Sequence, residues 1–334
     1  MVAVLALGAL NLATAVAHAG ILDDVKSRKA LQCGVDPGLP GFAAVDDQKQ
    51  WSGFDIDYCR AIAAAVLGDA TAVTFVPLTA KERFKALQSG AIDVLIRDTA
   101  WTMARDTSFG LTFTGVNYYN GQGFMVPKAL GVDSALQLTG ADVCIETGSA
   151  TEVAVTAYFK AHGMSHTAVP VENDEKQKAA YESGLCNVYT GDTVSLYGAR
   201  LGLAKPDDNV VLPEVLSKEP YGPVVLQSDY RWVAVVKWVH FALVNAEELA
   251  VTSQNVDAMK TSDDGDVRQL LGAEGMLGKG IGLQNDWAAN AIKAVGNYGE
   301  IFERNLGAGS KLQIPRGFNA LWTNGGIQFA PPIR

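Results

Sequence analysis

The sequence predicts an α/β protein of two lobes, each a mostly parallel sheet flanked by helices, facing each other across a cleft. Three observations carry this expectation. Short apolar, β-branched runs alternate with amphipathic helical patterns and glycine stops, as in parallel sheets covered on both faces. The pattern occurs twice: Ala86–Asp98 resembles Ala180–Asp192, each a helix end, a glycine stop (Gly90, Gly184), a strand, and an aspartate where the strand ends. Finally, the stretch Asp93–Arg105 turns abruptly from an apolar strand to polar residues, with Thr99 or Thr102 able to cap a helical turn and Arg105 just beyond. Strand mouths that feed helix starts are where open α/β sheets bind ligands, and a guanidinium there suits a carboxylate. A solvated surface arginine is the plain alternative for Arg105.

The elements follow in order. Residues 1–19 carry no Asp, Glu, Lys or Arg and end Ala17-His18-Ala19 before Gly20, a small-x-small pattern expected of a secretory leader cleaved after Ala19. Leu31–Val35 reads as a strand ending in an irregular loop, Asp36–Gly41, with two prolines and two glycines. Phe54–Leu67 places Ile56, Cys59, Ile62, Ala63, Val66 and Leu67 on one helical stripe, closed by Gly68. Ala72–Val76 is a strand, and Thr79-x-x-Glu82 a capping box opening a helix to Gly90. Asp93–Ile96 is the third strand. The chain crosses to the second lobe near Gly121–Pro127. There Ala141–Ile145, Thr167–Val171 and Cys186–Thr190 read as strands. Helices are expected from a second box at Ser149-x-x-Glu152 to His162, over Asn173–Ser183, and from Asp192 or Thr193 through Leu201. Tyr221–Gln227 returns the chain to the first lobe, so two crossing strands form a hinge. Ser228–Val251 is helical, with Arg231, Lys237 and His240 excluding a membrane span. Asp286–Leu306 reads as the longest later helix, and Phe318–Arg334 as an ordered tail pinned on lobe one by Trp322 and Phe329. The expected division is therefore 20–122 with 228–334 for lobe one, including a C-terminal helical extension, and 123–227 for lobe two.

Composition bounds the function. The 334 residues are 48% hydrophobic and 19% charged, with a net charge of -9, which argues against a phosphate-backbone partner. No Lys/Arg-rich run and no Cys-x-x-Cys occurs, and His162 and His166 straddle a helix end at Gly163, so neither nucleic acid, a metal nor a redox motif is expected. No Gly-x-Ser-x-Gly elbow or phosphate loop appears, so no catalytic residue and no cofactor is assigned. Four cysteines allow three pairings. Stapling each lobe separately would join Cys33 to Cys59 and Cys144 to Cys186; four buried free thiols are the alternative.

Gly53-Phe-Asp-Ile-Asp57 and the helix after it resemble the signature of bacterial extracellular solute-binding proteins, family 3, for polar amino acids. The phrases Gly38-Leu-Pro-Gly-Phe42, Trp51-Ser-Gly-Phe-Asp55, Glu82-Arg-Phe, Val116–Met125, Ser217-Lys-Glu-Pro, Asn297-Tyr-Gly-Glu and Phe329–Arg334 narrow the likeness to the general L-amino-acid-binding periplasmic proteins of ABC importers. The resemblance spans essentially the whole mature chain. It implies a type II clamshell, monomeric and periplasmic, that delivers free L-amino acids to inner-membrane permease subunits.

A free amino acid needs an arginine and N–H donors for its carboxylate and an anion for its ammonium, since burying either unpaired is costly. By the resemblance, Arg105 clamps the α-carboxylate and Asp192 pairs with the α-ammonium; a plain helix cap is the alternative for Asp192. Further wall positions are Asp36 and Leu39, then Asp98, Thr99 and Ala100, then Ser149, Ala150 and Thr151. Ala100 and Ala150 stand where hydroxyls are expected, Leu39 where narrow-specificity relatives place a stacking aromatic, and Leu226 where close relatives are expected to carry arginine. Asp98 would favour a cationic side chain or cap a helix. Two rivals use the same cleft: a clamshell enzyme, a lyase or dehydratase of an amino-acid-like substrate, and a periplasmic amino-acid sensor.

Overall fold

The computed structural model describes residues 20–36, 38–146 and 150–334, so the leader and Ser149 lie outside the described residues. The chain runs through α1 (Ile21–Arg28), β1 (Leu31–Val35), a hairpin of β2 (Ala44–Val45) and β3 (Trp51–Ser52), α2 (Phe54–Leu67), β4 (Val73–Pro77), α3 (Arg83–Gln88), β5 (Val94–Leu95), α4 (Met103–Ser108) and β6 (Leu111–Phe113). After β7 (Tyr118–Asn120) come β8 (Gln122–Pro127), β9 (Ala141–Glu146), α5 (Ala150–Ala161), β10 (His166–Val171), α6 (Asp174–Glu182), β11 (Val188–Asp192), α7 (Thr193–Leu201) and β12 (Asn209–Val211). β13 (Glu219–Tyr221) and β14 (Val224–Leu226) return the chain. It ends in α8 (Tyr230–Glu248), α9 (Val256–Met259), α10 (Gly265–Leu270), α11 (Leu277–Gly280), α12 (Trp287–Val295), α13 (Tyr298–Asn305) and a tail.

Two five-stranded sheets result, in the orders β4-β1-β5-β14-β6 and β10-β9-β11-β8-β12. Each is mostly parallel with one strand reversed, β14 in the first and β8 in the second, so that four of the five strands run the same way. β1 pairs in parallel with β4 and β5, and β9 with β10 and β11, but β14 and β8 run antiparallel because each belongs to a crossing. The return is complete by Val224, which already pairs with Leu95 and Phe113 of the first sheet, a few residues earlier than expected. Between the sheets β7 and β13 pair antiparallel, Tyr118 opposite Tyr221 and Asn120 opposite Glu219. These two strands are the connection about which the lobes are joined.

α2 and α7 begin and end where their stripes and caps place them. Gly53, at φ 133°, precedes α2 because a Cβ there would lie 2.2 Å from the Phe42 carbonyl oxygen. α2 is buried along most of its length against α8 and α12, around Phe42, Phe54, Tyr58, Tyr118 and Phe302. Both disulfides join lobe to itself: Cys33 of β1 to Cys59 of α2, and Cys144 of β9 to Cys186 before β11, with Cα separations of 6.1 and 5.6 Å.

Three expectations are corrected. The stretch Asp286–Leu306 is two helices, broken where Gly296 takes φ 84° and Asn297 opens a new capping box with Glu300. The helix after Thr79 starts at Arg83, because the Glu82 carboxylate turns back onto the Thr79 hydroxyl (2.6 Å) and backbone N–H (3.2 Å). The tail is pinned less by the rings of Trp322 and Phe329, which pack on each other and remain 50% and 63% exposed, than by polar contacts, among them the Trp322 indole N–H to Glu248 of α8 (3.2 Å). Its anchors are polar: Asn319 accepts from the Tyr119 N–H (2.7 Å) and donates to its carbonyl (3.1 Å), and the buried Gln328 donates to the Val116 carbonyl (3.2 Å). The tail thus braces the β7 crossing.

Candidate functional site

Asp192 is the last residue of β11, opposite Gln122 of β8, and it also precedes α7. One carboxylate oxygen accepts the Val194 and Ser195 N–H groups, 3.1 and 3.4 Å away, which caps the helix. The other accepts from the Tyr221 hydroxyl (2.7 Å) and the Asn120 amide, one from each crossing strand. The carboxylate that caps α7 is therefore also the one held by both crossing strands. Burial pushes its pKa up to about 6, against the Asn120 and Tyr221 hydrogen bonds, which favour the ionised form, and with a smaller push from Glu219.

A cavity of about 530 Å³ opens over Asp192. Leu39 and Pro40 of the loop after β1 form one wall, Gln122 and Thr151 another, and the small residues Gly198, Ala199 and Gly202 leave room along α7. Thr151 donates to the Gln122 side-chain oxygen (2.7 Å), and Gln122 in turn donates to Glu219 (3.0 Å), so the lobe-two wall is tied to β13. Leu39 and Thr151 both line this cavity. α5 begins at Ala150, as the second box implied.

On the lobe-one side, Thr102 caps α4 by accepting the Arg105 N–H. The Arg105 guanidinium does not line that cavity. It is half-buried and donates to the Ala100 carbonyl (2.7 Å). Ala100 forms an antiparallel bridge with Tyr221, reinforced by the Trp101 N–H to the Pro220 carbonyl (2.7 Å), and the Tyr221 hydroxyl reaches Asp192. Arg105 and Asp192 thus stand at the two ends of one short run of contacts, Arg105 to Ala100 to Tyr221 to Asp192.

Asp36, Asp98 and Thr99 serve a different purpose from that expected. All three hold Arg97, a residue the sequence reading did not single out. Asp36 pairs with its guanidinium at 2.6 Å and Asp98 at 3.4 Å, while the Thr99 hydroxyl donates to the Arg97 carbonyl (2.7 Å). Asp98 caps no helix and its charge is engaged, so it offers a cationic ligand side chain little; burial nonetheless raises its pKa. Its backbone is held left-handed at φ 36°, with its N–H donating to the buried Asp55 carboxylate (3.3 Å). Leu226 is no wall residue. β14 runs antiparallel, so its end lies at the far edge of the sheet beside Gly90, Ile92 and Asp93.

Asn120, Tyr221, Gln122 and Arg97 are the residues that reading missed. Asn120 and Gln122 lie in the Val116–Met125 phrase that carries the resemblance, Tyr221 in the returning strand and Arg97 at the mouth of β5.

A model of the bacterial extracellular solute-binding proteins, family 3, matches residues 31–307. The general L-amino acid-binding periplasmic protein AapJ of Rhizobium johnstonii is 53% identical over 99% of this chain and 96% of its own length. The glutamate/glutamine/aspartate/asparagine-binding protein BztA of Rhodobacter capsulatus is 49% identical over 97% and 96%. A solved structure of a periplasmic binding protein of an ABC transporter from Brucella ovis, with glutathione bound, is 56% identical and superposes with a TM-score of 0.82 over 95% of this chain and all of that one.

Proposed function

The chain belongs to the bacterial extracellular solute-binding proteins of family 3, and from that premise we propose that it is the amino-acid-binding component of an ABC importer. It takes a free L-amino acid between its lobes in the periplasm and presents it to the membrane permease. Export by a leader cleaved after Ala19, a lobe-one unit of 20–122 with the segment after β13, and a lobe-two unit between them belong to the same reading.

The observation that carries it is the run from Arg105 to Asp192. A zwitterion has its two charges a few bonds apart, and here a guanidinium and a carboxylate from different lobes are linked through Ala100 and Tyr221. Asp192 receives the ammonium on a carboxylate already oriented by Asn120, Tyr221 and the start of α7. Arg105 and the N–H groups at the start of α4 receive the carboxylate. Ala100 and Ala150 bring no hydroxyl, so backbone donors serve there. Because each lobe holds one end of the ligand, the ligand binds the closed arrangement better than the open one and draws the lobes together. Charged hydrogen bonds contribute roughly 1.5–3 kcal/mol each, and micromolar affinity requires about 8 kcal/mol, so a handful of such contacts suffices.

Purified protein should melt at a higher temperature with L-amino acids present, and Arg105→Ala should abolish the shift while leaving the ligand-free melting temperature within a few degrees. Absence of any shift at millimolar amino acid refutes the reading. A second ligand class is favoured by the Brucella ovis structure and by the room along Gly198, Ala199 and Gly202: glutathione, whose γ-glutamyl end is itself an amino-acid zwitterion. It belongs in the same screen.

A further inference from the structure

α7 has two working sides. Ser195, Gly198, Ala199 and Gly202 face the cavity over Asp192. Thr193 and Tyr197 line a second cavity, of about 560 Å³, whose far wall is the tail from Ile314 to Gly325. Arg200 continues this second stripe at helical spacing and reaches the tail. It donates from Nη2 to the Leu312 carbonyl (2.9 Å), with its guanidinium 5.4 Å over the Tyr197 ring. Away from the crossing segments, no other hydrogen bond among the described residues joins the two lobes. Leu312 packs so closely over Gly41 that a Cβ there would collide with it, and the same loop carries Leu39 and Pro40, the lobe-one wall of the cleft cavity. Further along, Arg316 pairs with Glu247 of α8 (3.0 Å) and Asn319 holds Tyr119, so the tail is fixed to lobe one. This tail lies beyond residue 307, where the family match ends.

The contact sits away from the hinge. Arg200 lies roughly 12 Å along α7 from Asp192 by the helical rise. A rotation of about 15° about the crossing strands therefore moves it about 3 Å relative to the tail. A hydrogen bond of 2.9 Å does not survive that displacement, so the bond exists only while the lobes are together. We propose that Arg200 is a positioning residue for ligand binding: touching no ligand itself, it fastens α7 to the tail when the lobes close, and so holds Asp192 and the cavity wall over whatever ligand occupies the cleft. This rests on the reading of the Arg105–Asp192 cleft given above. Opening must break the bond before a ligand leaves, so its effect falls on the dissociation rate and falls equally on every ligand. A hydrogen bond from a charged donor changes such a rate by about tenfold or more.

Calorimetry and stopped-flow tryptophan fluorescence test this with L-glutamine, L-glutamate and L-alanine, which differ in side chain but carry the same zwitterion. The proteins are the wild type and Arg200→Met, whose side chain keeps the apolar packing on Tyr197 without the donor. Arg200→Met should release each ligand that the wild type binds about tenfold faster, with association rates within about twofold and Kd raised by the same factor for each. In the wild type, ligand should also slow amide hydrogen exchange in the tail around Leu312, which no ligand touches. A loss of affinity confined to one ligand overturns the proposal, because Arg200 would then be a ligand contact. Tail exchange indifferent to ligand in the wild type overturns it even if the variant does not fold. Binding with dissociation rates unchanged in Arg200→Met sinks this inference alone; no binding of any of the three to the wild type sinks the cleft reading with it.

Discussion

Lowering the pH is the most direct perturbation of the proposed cleft, because Asp192 titrates near 6 when no ligand is present. An ammonium pairs with the carboxylate and not with the carboxylic acid, so the binding-competent fraction of the protein is the fraction ionised at Asp192. At pH 7 that is about nine-tenths and at pH 5 about one-tenth, so the apparent Kd should rise about tenfold between them. L-Glutamine suits the measurement, since its own charges stay fixed across this window. Calorimetry at each pH in two buffers of different ionisation enthalpy counts protons. Binding at pH 5 should release close to one proton per ligand and at pH 7 almost none. Asp192→Asn should bind weakly at both values, with no proton release, which isolates this carboxyl from Asp55 and Asp98, whose pKa values burial also raises. A wild-type Kd constant within twofold from pH 7 to pH 5, with no proton release, refutes the assignment of Asp192 to the ammonium.

Two further predictions concern stability. His240 is fully buried against Tyr58 (3.0 Å), and burial brings its pKa down to about 4 from 6.5. A folded-state value below the unfolded one means stability is complete above about pH 6.5 and declines as pH falls toward 4, by about 3 kcal/mol. Asp192 acts in the opposite direction without ligand, its raised pKa making the fold relatively more stable as pH drops through 6. Denaturant titrations at pH 7 and pH 4.5 should therefore show a smaller acid loss in His240→Gln than in wild type, and an equal loss would remove His240 as the cause. The disulfides close segments with sequence separations of 26 and 42, so each should contribute about 3–4 kcal/mol through the unfolded chain. Paired Cys→Ser variants read by denaturation should each lose an amount of that order and retain ligand binding, because neither bridge touches Arg105 or Asp192.

What could be read before the fold was known was local. The stripe of α2 with its Gly68 stop, the cap that starts α7 at Asp192, and the repeat that pairs Gly90–Asp98 with Gly184–Asp192 depend on residues within a turn or two of one another. The misread stretches were local too, but ambiguous. Gly296 sits inside an apolar helical period, and only the Asn297–Glu300 box after it reveals the break. At Thr79 the same box motif folds into a turn before the helix instead of opening it.

The sequence by itself determined that two similar α/β units exist, that each carries a strand mouth with charged residues, and that Arg105 and Asp192 stand at those mouths. Tertiary structure alone decided which charges remain available. Asp36 and Asp98 are consumed by Arg97, the buried Nε of Arg83 has no hydrogen-bond partner among the described residues, and Asn120 and Tyr221 come to orient Asp192 because β7 and β13 pair across some hundred residues of chain. Helix and strand periods arise from neighbours along the backbone and leave a pattern in the sequence. A hydrogen bond or ion pair between distant segments leaves none, since its partners meet only once the sheets have closed and the crossing strands have set their register.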